Sequence, residues 1–232
     1  MFNTAETAAL HAKVLRLRRH WIGRGSTGVT EFFSLGRACY LDFCCSESPE
    51  KDYLGGAPVA NRALARTFAP MYERVRAAIE SHLGEPVRYT DRFALPGFHI
   101  FLGQAIARAA GAPVHFDQQY QYLPWRRALD PLPPISFTMA VALPKGGGGL
   151  DTWNVTPEDV TRAVQLGLEP DLNKIKDRKF KIHHPYRLGT LALHSGLLLH
   201  RIGNVPKIHD SDERITLQGH GVRVDGTWVL HW

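Results

Sequence analysis

After Gly84 the chain is cut by glycine and proline into nine short runs, each apolar throughout or alternating apolar with polar. They are Val87–Phe93, Phe98–Leu102, Val114–Asp117, Ile135–Leu143, Leu150–Val155, Thr190–His194, Leu197–Ile202, Ile215–Gln218 and Val222–Leu230. Runs this short, with a period of two, read as strands. Before Gly84 the period is helical. Thr4 to His20 places Leu10, Val14, Leu17 and Trp21 at helical spacing among Lys13, Arg16, Arg18 and Arg19, which predicts an amphipathic helix. Ala57 to Leu83 enters at Pro58, carries Leu64, Phe68, Met71, Val75 and Ile79 on one face, and stops at Gly84. Gly23 to Gly56 has no steady period and is assigned to short strands and loops.

Helices first and strands after predict an α+β chain with an antiparallel sandwich or barrel at its centre. Residues 1–86 are expected to be mainly helical support and residues 87–232 the β core. Thr156 to Tyr186 is charged and opens on a helix-start signature, Thr156-Pro157-Glu158-Asp159; it is expected to be an insertion over one end of the barrel. A chain of 232 residues, 44% of them hydrophobic, is expected to form a single domain with its own core.

Composition narrows the function classes. No run approaches twenty apolar residues, so no membrane span is expected, and the start lacks the basic-then-apolar order of a secretory signal. A cytoplasmic location follows as the expectation. Cys39, Cys44 and Cys45 are odd in number and bunched, which reads as reduced packing thiols. Lys+Arg 28 against Asp+Glu 22 gives a net charge of +6. That balance favours anionic ligands but is too mild to indicate nucleic acid, and the basic residues do not alternate with aromatics along a stripe. Oligomeric state is not legible. The 12 histidines bring metal chemistry into consideration.

His115 and Asp117 form a His-x-Asp pair on an expected strand, where residues two apart point to one face. Alone, such a pair is weak evidence in so histidine-rich a chain. His200 follows on another expected strand, and Arg214 and Thr216 open a third. Two imidazoles and one carboxylate that leave further metal positions open are the arrangement used by non-haem Fe(II) oxygenases. His194 is the rival to His200. His183, His184, His209 and His220 are expected on loops or the surface.

In this order of motifs the chain resembles the Fe(II)- and 2-oxoglutarate-dependent dioxygenase superfamily, over about residues 98–218. The matching features are His115 with Asp117, then Gly147-Gly148-Gly149-Leu150 as in prolyl-hydroxylase-type members. After them come His200, preceded by the Gly189-Thr190-Leu191-Ala192-Leu193 strand, and finally Arg214 with Thr216. The resemblance implies a double-stranded β-helix, a jelly-roll or cupin-like barrel, with the N-terminal helices packed on one sheet. It implies that His115, Asp117 and His200 hold Fe(II), and that Arg214 and Thr216 bind the far carboxylate of 2-oxoglutarate. O2 would be activated and succinate and CO2 released. A carboxylate at 117 makes halogenation unexpected.

His99 and Phe101 share a strand face that in the superfamily looks into the cavity; His99 reads equally as a substrate contact or a satisfied core histidine. Tyr120, Trp125, Arg126 and their neighbours are candidates for the cavity mouth or for a polar edge. Trp153 is a candidate cavity wall or core aromatic. The nucleic-acid dealkylases of the superfamily carry a second Arg where this chain has His220, which argues against that reading. The expected activity is oxidation, by hydroxylation, of a small polar molecule such as an amino-acid derivative or natural-product intermediate. The alternatives are a peptide hydroxylase, a nucleic-acid dealkylase, or a cupin-like metal- or sugar-binding barrel without oxygenase activity.

Overall fold

The computed structural model describes residues 1–25, 31–110, 113–167, 171–177 and 179–232. Helix α1 (Thr4–Arg16) starts where Asn3 caps it: the Asn3 side chain accepts from the Glu6 N–H and the Glu6 carboxylate accepts from the Asn3 N–H. It ends four residues earlier than the periodicity suggests. A single 3-10 turn, Arg18–His20, then folds Leu17 and Trp21 back onto the core. After α2 (Cys39–Asp42), helix α3 (Ala57–Leu83) covers the expected span, with Pro58 in its first turn and Gly84 ending it at φ +69°. It is bent: Pro70 has no N–H to offer the preceding turn, and Phe68 leaves helical geometry at φ −120°, ψ 17°. Helices α4 (Ala105–Ala110), α5 (Pro157–Gln165) and α6 (Leu172–Asp177) are short.

The strands are β1 (Ile22–Gly23), β2 (Phe32–Leu35), β3 (Val87–Tyr89), β4 (Gly97–Leu102), β5 (Ile135–Ala142), β6 (Gly149–Trp153), β7 (Lys181–Pro185), β8 (Leu191–Ser195), β9 (Leu199–Ile202), β10 (Glu213–Val224) and β11 (Thr227–His231). Among the described residues they form two sheets. The larger runs β1-β2-β4-β10-β11-β3, with β5 on the other side of β10 and β8 beyond β5; the smaller runs β7-β6-β9. All pairings are antiparallel except β11 with β3. The chain is α+β.

One face of the large sheet carries the main core. Leu10 and Val14 of α1 and Leu64, Phe68, Val75 and Ile79 of α3 pack there against Phe98, Ile100, Ile215, Leu217 and Leu230. Because side chains alternate along a strand, the intervening residues of β4, β5, β8 and β10 are forced to the opposite face. That face, with residues of the small sheet, lines a cavity of about 810 Å³.

Three expectations about the strands need correction. Ile215–Gln218 and Val222–Leu230 are not separate strands divided at Gly219 to Gly221. β10 runs unbroken through both glycines and turns only at Asp225-Gly226, where φ is +49° and +77°. These glycines mark crowding: a Cβ at 219 would lie 2.5 Å from the Phe137 ring, and one at 221 would lie 2.8 Å from Ile135. Val114–Asp117 forms only an isolated bridge, His115 with His200. The Thr156–Tyr186 segment does more than overlie the core. Thr156 caps α5 through Asp159, but the segment ends in β7, an exposed edge strand that extends the small sheet against β6; residues 168–170 and 178 lie outside the described residues.

Candidate metal centre and anion pocket

His200 sits on β9, whose one edge pairs with β6 at Thr152 and whose other edge meets His115. The two histidines exchange backbone hydrogen bonds, His115 N–H to His200 C=O and the reverse, both at 3.0 Å. Two residues on, the Asp117 N–H donates to Gly196 C=O at 2.8 Å, in the turn between β8 and β9. Backbone pairing therefore brings together residues 85 positions apart. One ligand-type atom from each of His115, Asp117 and His200 falls within 4.8 Å of the others.

The orientation of both rings follows from their other nitrogens. His200 Nδ1 donates to Leu198 C=O at 2.7 Å, and His115 Nδ1 donates to Pro113 C=O at 3.1 Å. A carbonyl only accepts, so each proton is on Nδ1 and each Nε2 turns to Asp117, 3.9 Å away for His115 and 3.3 Å for His200. Burial opposes ionisation of Asp117, but the surrounding imidazoles of His200 and His220 hold its pKa well below the usual carboxylate range. At His200 burial is outweighed by Asp117, and the pKa is raised; at His115 burial, then His200, lowers it.

Across the large sheet, His194 on β8, Ser136 on β5, His220 on β10 and His231 on β11 are successive register partners. Partners directly opposite in antiparallel strands share a face, so this rung stands in a row beside the three ligand atoms. Ser136 Oγ donates to Asp117 Oδ2 at 2.6 Å. The His194 ring lies 4.8 Å from that of His200, and burial lowers the His194 pKa to about 4. His220 is therefore no surface histidine: it is nearly buried, and its Nδ1 lies 3.7 Å from Asp117. The signal was strand parity, since Arg214, Thr216, Gln218 and His220 alternate on one face of β10.

At the other end of the same β10 face, Arg214 is 1% exposed. Its Nε and Nη1 are buried with no hydrogen-bond partner among the described residues. Phe101 and Tyr186 flank the guanidinium, each ring centre 5.9 Å away, and Thr216, fully buried, follows two residues on. Burial pulls the Arg214 pKa down, yet a guanidinium stays charged. A buried cation without a counter-charge costs several kcal/mol. Among the described residues no carboxylate pairs with this guanidinium, which lines the cavity. Tyr186, at the end of the Thr156–Tyr186 segment, carried no motif and was not anticipated.

His99 and Phe101 share a strand face, as their parity predicted, and both line the cavity opposite Thr216 and Arg214 on β10. His99 is both buried and partnered: its Nε2 shares a 2.8 Å hydrogen bond with the Tyr40 hydroxyl, and burial with nearby Arg214 holds its pKa well below 6.5. Four other candidates fall elsewhere. Trp125 packs on Phe93 and His231 with its Nε1 donating to Tyr120 C=O, and Tyr120 itself joins the Val222–Val224–Val229 cluster. Arg126 is exposed, off the cavity. Trp153 is a core aromatic packed with Val114, Val155 and Leu199, because Thr152 and Leu150 take the inward parity of β6. Gln118, Gln119 and Tyr122 line the wall instead. Only Cys39 is a packing thiol, its pKa pushed up by burial; Cys44 and Cys45 are exposed, Cys44 at the cavity.

No protein-family model matches the chain, and no curated protein matches it in sequence. Solved structures match its fold. An N-substituted L-amino acid dioxygenase from Burkholderia ambifaria AMMD superposes over 97% of this chain and 91% of its own, at 15% identity and a TM-score of 0.50. SnoN, a non-heme alpha-ketoglutarate-dependent epimerase from nogalamycin biosynthesis, superposes over 96% and 77%, at 13% identity and a TM-score of 0.51. SnoN has also been solved with Fe3+, alpha-ketoglutarate and nogalamycin RO. At these identities the likeness is one of fold, and it is to the same group of enzymes that the motif order resembles.

Proposed function

We propose that this chain is a non-haem Fe(II)- and 2-oxoglutarate-dependent dioxygenase, folded as a single-domain double-stranded β-helix, that hydroxylates an unactivated C–H bond of a small polar molecule. The observation that carries the reading is the unpartnered, buried Arg214 guanidinium in the cavity that also holds the His115–Asp117–His200 cluster. Two neutral imidazoles and a carboxylate suit a first-row divalent metal with positions to spare. A cation without a carboxylate partner among the described residues in the same cavity suits a co-substrate with a second carboxylate.

His115 and His200 would hold Fe(II) through Nε2 and Asp117 through a carboxylate oxygen. When bound, iron and co-substrate supply oxidative decarboxylation of 2-oxoglutarate by O2, giving succinate and CO2 and oxidising the substrate. Arg214 would grip the far carboxylate with its guanidinium, and the Thr216 hydroxyl, on the same strand face, would add a hydrogen bond. Phe101 and Tyr186 close off water from that ion pair and so strengthen it. His99, held neutral and fixed by Tyr40, is placed with Phe101 to meet substrate. The cavity volume is in the range of small-molecule sites. The two fold neighbours, an amino-acid dioxygenase and a natural-product epimerase, support a small-molecule substrate. No helix among the described residues is long and apolar enough to cross a membrane; we assign the chain to the cytoplasm.

Anaerobic addition of Fe(II) and then 2-oxoglutarate should produce a weak visible charge-transfer band that is lost in Arg214→Ala and His115→Ala. Absence of the band in the unsubstituted protein refutes the assignment. A succinate-release screen over amino acids, peptides, nucleotides and carrier-linked acids, with His115→Ala as blank, then names the substrate class.

A further inference from the structure

We propose that Gln119, His220 and Ser136 form a positioning relay that fixes the orientation of the Asp117 carboxylate toward the metal by holding Oδ2. The inference rests on the metal-centre reading above. Gln119 Nε2 lies 2.7 Å from His220 Nε2, His220 Nδ1 lies 3.1 Å from Ser136 Oγ, and Ser136 Oγ lies 2.6 Å from Asp117 Oδ2. Across the cluster, Asp117 Oδ2 lies 3.3 Å from His200 Nε2 and Oδ1 lies 3.9 Å from His115 Nε2.

With the Gln119 amide nitrogen facing His220, the protons along this chain run in one direction. A carboxylate accepts, so the single hydroxyl proton of Ser136 goes to Asp117. Ser136 Oγ must then accept from His220, which puts the imidazole proton on Nδ1. His220 Nε2 is left with its lone pair, which accepts from the Gln119 amide. The reverse order would ask one serine proton to serve both Asp117 and His220. Every member is neutral apart from the carboxylate, and each of the three links has one donor and one acceptor.

The placement comes from three separate elements. Ser136 and His220 are register partners on β5 and β10, and Gln119 begins the helical turn Gln119–Tyr122 two residues after Asp117. Asp117 sits outside any regular strand, tied by backbone only through its N–H to Gly196. The orientation of its carboxylate is therefore set by the side chains around it, and Ser136 Oγ makes the shortest contact. These three are positioning residues: they act on the metal through Asp117.

The test uses Co(II) as an oxygen-insensitive probe, titrated into the full-length protein while its visible d–d bands are recorded. Ser136→Ala and His220→Leu should raise the Co(II) Kd by about 10- to 100-fold, the usual effect of losing a residue that orients a ligand, and should change the band intensities. His220→Asn, whose amide can donate where Nδ1 does, should recover most of the affinity. Thermal melts of the metal-free variants identify any that fail to fold. If Ser136→Ala does not fold, the His220→Asn and His220→Leu pair decides. Co(II) affinities within about twofold of the unsubstituted protein for folded Ser136→Ala or His220→Leu overturn the relay, as does equal binding by the Asn and Leu variants. Failure of the unsubstituted protein to bind Co(II) is a different result and overturns the metal-centre reading itself.

Discussion

Arg214→Met should change stability and ligand response in opposite directions, and both signs follow from the same two unpartnered nitrogens. Without ligand, Arg214 is a charge at 1% exposure whose Nε and Nη1 have no hydrogen-bond partner among the described residues. Replacing a buried charge with an apolar side chain of similar volume is worth about 1–4 kcal/mol. For a chain of this size each kcal/mol moves Tm by about 2–4 °C, so a gain near 2 kcal/mol raises the ligand-free melt by about 4–8 °C. With 2-oxoglutarate at about 100 times its Kd, the unsubstituted protein gains about 2.7 kcal/mol, or about 5–11 °C. The variant loses two charge-assisted hydrogen bonds of about 1.5–3 kcal/mol each. At about 1.4 kcal/mol per tenfold, that weakens binding by about 10²–10⁴ and abolishes the ligand-induced shift. The assay is differential scanning fluorimetry with Co(II) in place of iron, with and without 2-oxoglutarate. A variant that melts below the unsubstituted protein without ligand, or keeps the ligand shift, refutes the reasoning.

Two further perturbations test the scaffold. Gly97→Ala would place a Cβ 2.1 Å from the Trp232 ring and 2.7 Å from the Leu35 carbonyl oxygen, so it should cost about 1–3 kcal/mol or more, read as a lowered denaturant midpoint with unchanged slope. Burial holds the His231 pKa at about 3 in the folded chain against 6.5 ordinarily. Between those values the unfolded chain binds a proton the folded chain refuses. Its contribution is therefore whole above pH 6.5 and falls as pH drops toward 3, by up to about 1.4 kcal/mol per pH unit. His231→Phe should flatten the stability–pH slope between pH 6 and 4; an unchanged slope in urea unfolding at those pH values contradicts the assignment.

The parts of the fold that the sequence made legible are those decided locally. Helix α3 matches from Ala57 to Leu83 because Pro58 and Gly84 specify its ends by backbone geometry alone. The inward faces of β4 and β10 were legible through parity, which placed His99 with Phe101 and Arg214 with Thr216. What failed depends on long-range packing. Gly219 and Gly221 read as breaks because crowding by Phe137 and Ile135 cannot be seen along the chain. Trp153 is inward or outward according to the register of β6 with β7 and β9, and His220 was dismissed because β10 had been cut before reaching it. Tyr120, Trp125 and Arg126 follow the His-x-Asp pair in sequence, but the turn Gln119–Tyr122 redirects them away from the cavity and leaves Gln118, Gln119 and Tyr122 there.

The reciprocal backbone bridge between His115 and His200 has a thermodynamic consequence. A cluster assembled from loops must freeze its donors at the moment an ion arrives, and that loss of freedom is subtracted from affinity. Here the peptide groups beside both imidazoles are already locked to one another by the folding of the polypeptide, so capture of an ion demands little more than release of solvent and of any proton held at Nε2. Selectivity and turnover can then be altered by changing the cavity rim while the donor spacing stays fixed from within.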